Sequence, residues 1–436
     1  MKKLAALLLA VALPAAAQTL EERVDRLLPK LVKTYQSLHA TPELSTQEAK
    51  TSAFVAARLR ELGVEVTERV GTYQDGGTCY GVVGVLRNGA GPTVLIRSDM
   101  DGLPVTEQTG LAYASTVRAK GQGGDEVGVM HACGHDVHMT TLIGTAEMLI
   151  ATRDRWSGTV LFVGQPAEEV VKGAAGMLAG GLYERFPRPD YAVAFHDMAN
   201  IPAGKVGYVS GYIMAGSDSI DVTVRGAGGH GATPHITKDP VVLAAELILA
   251  LQTIVSRERS PLDPVVVTVG SVHGGTKRNI IPDEVTLNMT VRTFKPDVRE
   301  RVLGSISRIA NGLAAAAGVA SDRMPIVNIL TSESVEPTWN DPALTERLAR
   351  SMAKELGETN VVASEPQMVA EDFGRFGLGR QIPTSMMNLG AGDPALIAAG
   401  TQPGLHSSRF APSPEITLRT GIRAMTAALL DLLAKP

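Results

Sequence analysis

Cysteine is nearly absent: 436 residues hold two, Cys79 and Cys133. That excludes a fold stapled by several disulfides. One-sided charge is absent too, and a formal net charge of −4 gives no electrostatic footing for nucleic acid. Aromatics are scarce at 4% while alanine is frequent, which fits a helix-rich α/β chain better than an all-β one. Past the N-terminus, no apolar run is expected to be long enough to cross a membrane. The G-x-S-x-G and H-E-x-x-H signatures are also missing.

At the N-terminus, Lys2 and Lys3 precede a short apolar run over 4–13 and the small residues Ala15, Ala16 and Ala17. This reads as a secretory signal peptide, residues 1–17, cleaved after Ala17; the alternative is a buried helix. The mature chain is therefore expected to be exported, periplasmic or secreted, with no membrane attachment after cleavage.

Residues 18–207 alternate helix and strand. Helices are expected over 20–38, 45–62, 139–152 and 173–184, and strands over 80–87, 93–97, 158–163 and 191–195. The second helix carries Ser45 as N-cap, Glu48 completing a capping box and Gly63 as its stop. This alternation predicts a mostly parallel, helix-covered sheet, the α/β class, with ligands at the carboxyl ends of its strands. From about 208 to 332 the order becomes βαββαβ, a ferredoxin-like domain inserted into the first. Residues 333–436 complete the first domain.

Four segments place metal-ligand side chains at predicted strand ends: MHACGHDVHMT (130–140), GQPAEE (164–169), His196-Asp197, and LHSSRF (405–410). Cys133 and His135 are two residues apart, so an extended loop points both to one side. Glu169, His196 and His406 add a carboxylate and two imidazoles. Five ligands exceed what one tetrahedral ion takes and fit two ions with a bridge, for which the Cys133 thiolate suits better than a disulfide. Cys79 is then a buried free thiol.

Glu168 and Glu169 face opposite ways on an extended segment, so one ligates while the other is free as a general base; the alternative is a solvated acidic pair at a helix start. Asp99 and Asp101, in SDMDGLP, are placed to orient a ligating histidine. His131 and His138 flank the ligand pair, as supports or as polar surface. In the inserted domain, His230, Asn279 and Arg292 suit a carbonyl oxygen and a carboxylate. The stretch 226–231 matches G-x-G-x-x-G, but Pro234 and the polar residues up to Asp239 delay any helix, which argues against a dinucleotide site.

The segments RSDMDGLPV, MHACGHDVHM, QPAEE, FHD, GGHGATPH, NIIPDEV, VRTF, AEDFGRF and LHSSRF, in that order, resemble the M20 peptidase family. The similarity is strongest to its branch of N-acyl-amino-acid amidohydrolases, hippurate hydrolases and auxin-conjugate hydrolases. The resemblance implies two divalent ions (Mn, Zn, Co or Ni) held by Cys133, His135, Glu169, His196 and His406. It implies Glu168 as the base that activates a bridging water and then protonates the leaving amine. It implies a homodimer formed by the inserted domain, with His230 polarising the scissile carbonyl, in some relatives across the dimer interface. Asn279, Arg292 and Glu371 would bind substrate, the first two at its carboxylate and Glu371 near the metals. The chain departs from the family at DMANIPAGKVG after His196, at Lys277 and Arg278 before Asn279, and at the insertion KGQGGDEV (120–127), expected to narrow the entrance. The function so implied is metal-dependent cleavage of N-acyl amino acids or related short amides with a free carboxylate. A carboxypeptidase or dipeptidase on the same site is the alternative, and a non-catalytic peptide- or metal-binding protein a further one.

Overall fold

A computed structural model of the protein describes residues 18–435. The expected signal peptide, 1–17, lies outside the described residues. The first helix, Leu20–His39, opens with a full capping box between Thr19 and Glu22. Leu20, Val24, Leu28, Leu31, Tyr35 and Leu38 recur at helical spacing and are all buried.

The larger sheet has eight strands, in the order Glu65–Glu68, Val82–Asn88, Gly158–Gln165, Thr93–Asp99, Tyr191–Pro202, Thr384–Gly392, Val206–Tyr208 and Val361–Ala363. Its centre, from Gly158–Gln165 through Thr384–Gly392, is parallel. These strands are near-continuous apolar runs because both faces are covered. Helices Leu20–His39, His135–Ala151 and Pro414–Leu432 pack on one face. The other face buries Val83, Leu95, Leu161, Ala194 and Phe373.

Register brings the chemistry to one edge. Asp99 pairs with Gln165, and Arg97 with Ala194, so Asp99, at the carboxyl end of its strand, stands level with His196 on the adjacent one.

The second sheet has the order Val265–Gly274, Glu284–Thr293, Gly216–Arg225, Ile326–Val335, antiparallel throughout, with helices Pro240–Thr253 and Pro296–Ala316 on one face. This is the expected βαββαβ arrangement. Ile220, Val222 and Val224 face the helices, whereas the alternate residues Ser217 and Ser219 line an open cleft. The last strand runs to Val335, past the expected end at 332.

Several local expectations are corrected. The helix expected from 45 begins at Ala49, and Ser45 binds Asp101 instead of capping it. Gly63, at φ +78°, does stop it. The helix expected over 173–184 is two, Gly173–Ala179 and Leu182–Arg185, broken where Gly180 passes against the backbone of Gly71. The strand from Tyr191 extends to Pro202, so His196 lies within it. The helix expected from 139 begins at His135.

That last start depends on Gly134, at φ +74°; a Cβ there would come within 2.3 Å of the Asp197 carboxylate. The left-handed backbone disfavours an L residue by about 1–2 kcal/mol before any clash. Gly134→Ala is therefore expected to lose at least about 2 kcal/mol in urea unfolding, and a wild-type midpoint would contradict this placement.

Candidate metal centre

Cys133 and His135 do not share an extended loop. The left-handed Gly134 turns the chain between them into the helix His135–Ala151, and both side chains still reach one site. Cys133 Sγ lies 3.6 Å from His196 Nε2 and 3.3 Å from His406 Nε2. Glu169 is 3.6 Å from His406 Nε2 and 3.7 Å from His135 Nε2. The five side chains thus fall into two overlapping groups, Cys133–His135–His196 and Cys133–Glu169–His406, which share the sulfur. His406 reaches its place from a left-handed backbone at φ +64°.

The ring orientations leave the required nitrogens free. His135 Nδ1 contacts the Asp101 carbonyl at 2.8 Å, and His196 Nδ1 contacts the Asp197 carbonyl at 2.8 Å. Protons on those nitrogens turn both Nε2 lone pairs toward the sulfur. Asp101 therefore orients His135, but through its main chain. Asp99 does not; it pairs with Arg97 and His138 and lies 3.5 Å from His135 Nε2. His138 is neither ligand nor surface, because its Nε2 accepts the Asp197 N–H at 2.8 Å while Nδ1 meets Asp99. His131 is buried, and neither ring nitrogen has a partner.

A metal pair fits this donor set. His135 Nε2, Glu169 Oε1 and Asp197 Oδ2 are buried without a hydrogen-bond partner, the condition that native interiors avoid unless something else occupies the position. Burial, then Asp101, pushes the Glu169 carboxyl up to about 7 against the pull of His135. Burial, then Glu169 and Glu168, also raises the Cys133 thiol. Divalent cations would reverse both directions.

Glu168 lies beside this set, 4.0 Å from His135 Nε2. Its carboxyl is held well above the usual range, first by burial and then by Glu371, Glu169 and Asp372, with Arg97 opposing. Glu371 is not on the cleft wall. Arg97 reaches its Oε1 at 2.8 Å, and the Phe373 N–H donates to the same oxygen at 2.8 Å. Arg97 also contacts Asp99, Gln165 and Asp372. This buried guanidinium is not among the site residues expected from the motifs. Its signal was an arginine inside the apolar strand Thr93–Asp99.

The cleft beside these groups measures about 1010 Å³. Glu168, Glu169, Cys133, His196 and His406 line one side, and Ser217, Ser219, Thr290, Arg292 and Glu333 of the second sheet line the other. Gln122 of the insertion lies on its wall. His230 and Asn279 do not line it; they sit together on an exposed ribbon, Gly229–His230 against Ile280–Ile281.

Fold and site together define an α/β metallohydrolase with its donors at the carboxyl edge of a parallel sheet. The chain belongs to peptidase family M20/M25/M40, whose sequence pattern matches residues 95–431. It is a metal-dependent hydrolase acting on amide or peptide bonds. An N-acetyldiaminopimelate deacetylase of Leuconostoc citreum is 37% identical, over 82% of this chain and 87% of its own. Thermostable carboxypeptidase 1 of Saccharolobus solfataricus is 35% identical, over 79% of this chain and 82% of its own. The crystal structure of a dinuclear metal-binding M20 peptidase from Bacillus subtilis superposes with a TM-score of 0.73 at 28% identity, covering 93% of this chain and 98% of that one.

A second buried ion cluster supports the centre from below. His39 Nδ1 meets Asp136 at 2.7 Å and Nε2 meets Glu107 at 3.1 Å. Burial opposes charge on this ring, but the two carboxylates outweigh it and raise its pKa from 6.5 to about 10. A raised folded pKa means stability that is full below about 6.5 and lost as pH climbs through about 10. The stability deficit of His39→Gln is expected to be greatest at or below pH 6.5 and to shrink toward pH 10. A deficit constant over that span, in denaturant titrations, would contradict the charged ring.

Proposed function

We propose that the chain is an exported, homodimeric amidohydrolase. It frees the amino acid from N-acyl amino acids, or from related short amides with a free carboxylate. The observation that carries this reading is the pair of ligand groups sharing Cys133, with Glu168 beside them and Arg292 on the facing wall of one cleft. Cys133, His135, Glu169, His196 and His406 would hold two divalent ions, drawn from Mn, Zn, Co or Ni. The chemistry such ions would supply is a lowered pKa for a water and polarisation of the scissile carbonyl.

The remaining steps belong to the chain. Glu168 takes a proton from the attacking water and returns it to the leaving nitrogen; a carboxyl raised by burial is suited to both transfers. Arg292 is half-buried, with a single hydrogen bond, to the Met368 carbonyl. Its guanidinium is available to pair with the substrate carboxylate. A carboxypeptidase or dipeptidase would use the same groups, and the amine side of the cleaved bond decides between them.

His230 and Asn279 enter through the dimer. Within one chain they are solvent-exposed and away from the cleft. The same domain exposes Val241, Val242 and Leu249 on helix Pro240–Thr253, next to the unpaired edge of strand Val265–Gly274, which also exposes Val272. An open edge beside apolar surface favours pairing with a second copy. In this reading the ribbon of each copy completes the cleft of the other. The leader at 1–17 supports export.

Three outcomes are expected. Chelation abolishes amino-acid release from an N-acyl-amino-acid and dipeptide panel, and one of Mn, Zn or Co restores it; release that survives exhaustive chelation would defeat the metal reading. Glu168→Gln keeps its metal content while kcat falls about 10²–10⁴-fold; near-full turnover would remove Glu168 as base. Unfolding and refolding Glu168→Gln together with His230→Ala restores about a quarter of wild-type activity, since about half the dimers are mixed and each carries one intact site. No recovery from a refolded dimer would place His230 outside the partner's cleft.

A further inference from the structure

Glu168 and Glu169 are presented by a turn, not by a strand end. Ala167, directly before them, is held at φ +52°, a backbone that L residues avoid. The turn closes where the Val171 N–H donates to the Glu168 carbonyl at 2.7 Å. What fixes Ala167 comes from far away in sequence. Glu48 Oε1 accepts the Ala167 N–H at 2.7 Å and the Thr46 N–H at 2.9 Å.

Glu48 is fully buried and occupies the N-cap of helix Ala49–Glu61, where a polar side chain ordinarily caps its own helix. It makes no such bond. Glu43 serves that helix instead, accepting the Lys50 N–H at 2.8 Å, the Thr51 N–H at 2.7 Å and the Thr51 hydroxyl at 2.9 Å. The Glu48 carboxyl is thereby released to point inward. Asp101 grips the same turn two residues further on, its Oδ2 accepting the Glu169 N–H at 3.0 Å and the Ser45 hydroxyl at 2.7 Å. Two donors of the 167–169 turn are therefore held by carboxyl oxygens, both braced by the 43–48 segment. Glu48 Oε2 has no partner, and burial, then Asp101, raises the carboxyl to about 8. A glutamine amide offers the same acceptor oxygen on a side chain of the same length, so it can imitate Oε1.

We propose that Glu48 is a positioning residue for hydrolysis: its Oε1 locks the left-handed Ala167 turn so that Glu168 and Glu169 both face the cleft. It touches neither substrate nor metal. The proposal rests on the reading of Glu168 as base and Glu169 as ligand.

Kinetics of Glu48→Gln, Glu48→Met and Glu48→Ala in the metal-loaded full-length protein test it, with Glu168→Gln as control. Glu48→Gln keeps the acceptor and is expected to hold kcat within about threefold of wild type. Glu48→Met fills the space without an acceptor, and kcat is expected to fall about 10–100-fold with KM nearly unchanged. Amide hydrogen exchange in the 165–171 stretch should quicken in Glu48→Met and Glu48→Ala and stay slow in Glu48→Gln. A role confined to helix stability would lower the melting temperature of the folded variants and leave kcat alone. Wild-type kcat in folded Glu48→Met or Glu48→Ala would overturn the proposal, and so would a Glu48→Gln protein as slow as either. If Glu168→Gln were fully active, the underlying reading would fail. If Glu168→Gln were inactive and Glu48→Met fully active, only the role of Glu48 would fail.

Discussion

Buried negative charge is the constraint on which the rest depends. Asp99, Asp101, Glu168, Glu371 and Asp372 are each all but removed from solvent, in one region at the edge of the larger sheet. Carboxylates there are tolerable only if protonated or faced by cations. Arg97 answers this from within the sheet, reaching Asp99, Glu371 and Asp372 with one guanidinium. Around Glu169 the neighbours are instead imidazoles and a thiol. In the proposed reading the two ions supply the missing charge there. Arg97 and the metals then act as two walls of cation with Glu168 between them.

Geometry follows from the same constraint. Parallel strands bring Asp99, Gln165 and His196 to one edge, so groups remote in sequence meet without long excursions of chain. The second sheet contributes polar alternate residues rather than metal donors. In the proposed reading this division lets one domain set the chemistry while the other sets what is held against it. Glu333 and Arg292 on that wall give the cleft opposite charges within reach of a substrate.

Much of this was legible in the residues. The five donors were recognisable because histidine, cysteine and glutamate clustered where apolar runs ended, and the fold placed all five together. The βαββαβ order was legible from period-two alternation such as Ser219–Arg225 flanked by apolar helices. Glu371 was assigned to substrate, and the structure gives both its oxygens to Arg97. Asp99 was assigned to a ligating histidine, and it serves His138 instead. Such errors share one cause: which of several polar neighbours a buried carboxylate chooses is a matter of three-dimensional proximity, which local pattern does not carry. Glu48 illustrates this best, since it looked like half of a capping box and its partner lies on a different turn. His230, Asn279 and Arg292 read as one group in sequence, but within one chain only Arg292 lines the cleft, and His230 and Asn279 share an exposed ribbon away from it.

In the proposed reading Cys133, the donor common to both ligand groups, would serve both ions. X-ray absorption of the protein loaded with two equivalents of zinc tests it directly. A bridging thiolate predicts one sulfur per zinc at about 2.3 Å, with a second zinc at about 3.5–4 Å. Half a sulfur per zinc would mean that the thiolate serves one ion, and no sulfur shell at all would remove Cys133 from the centre.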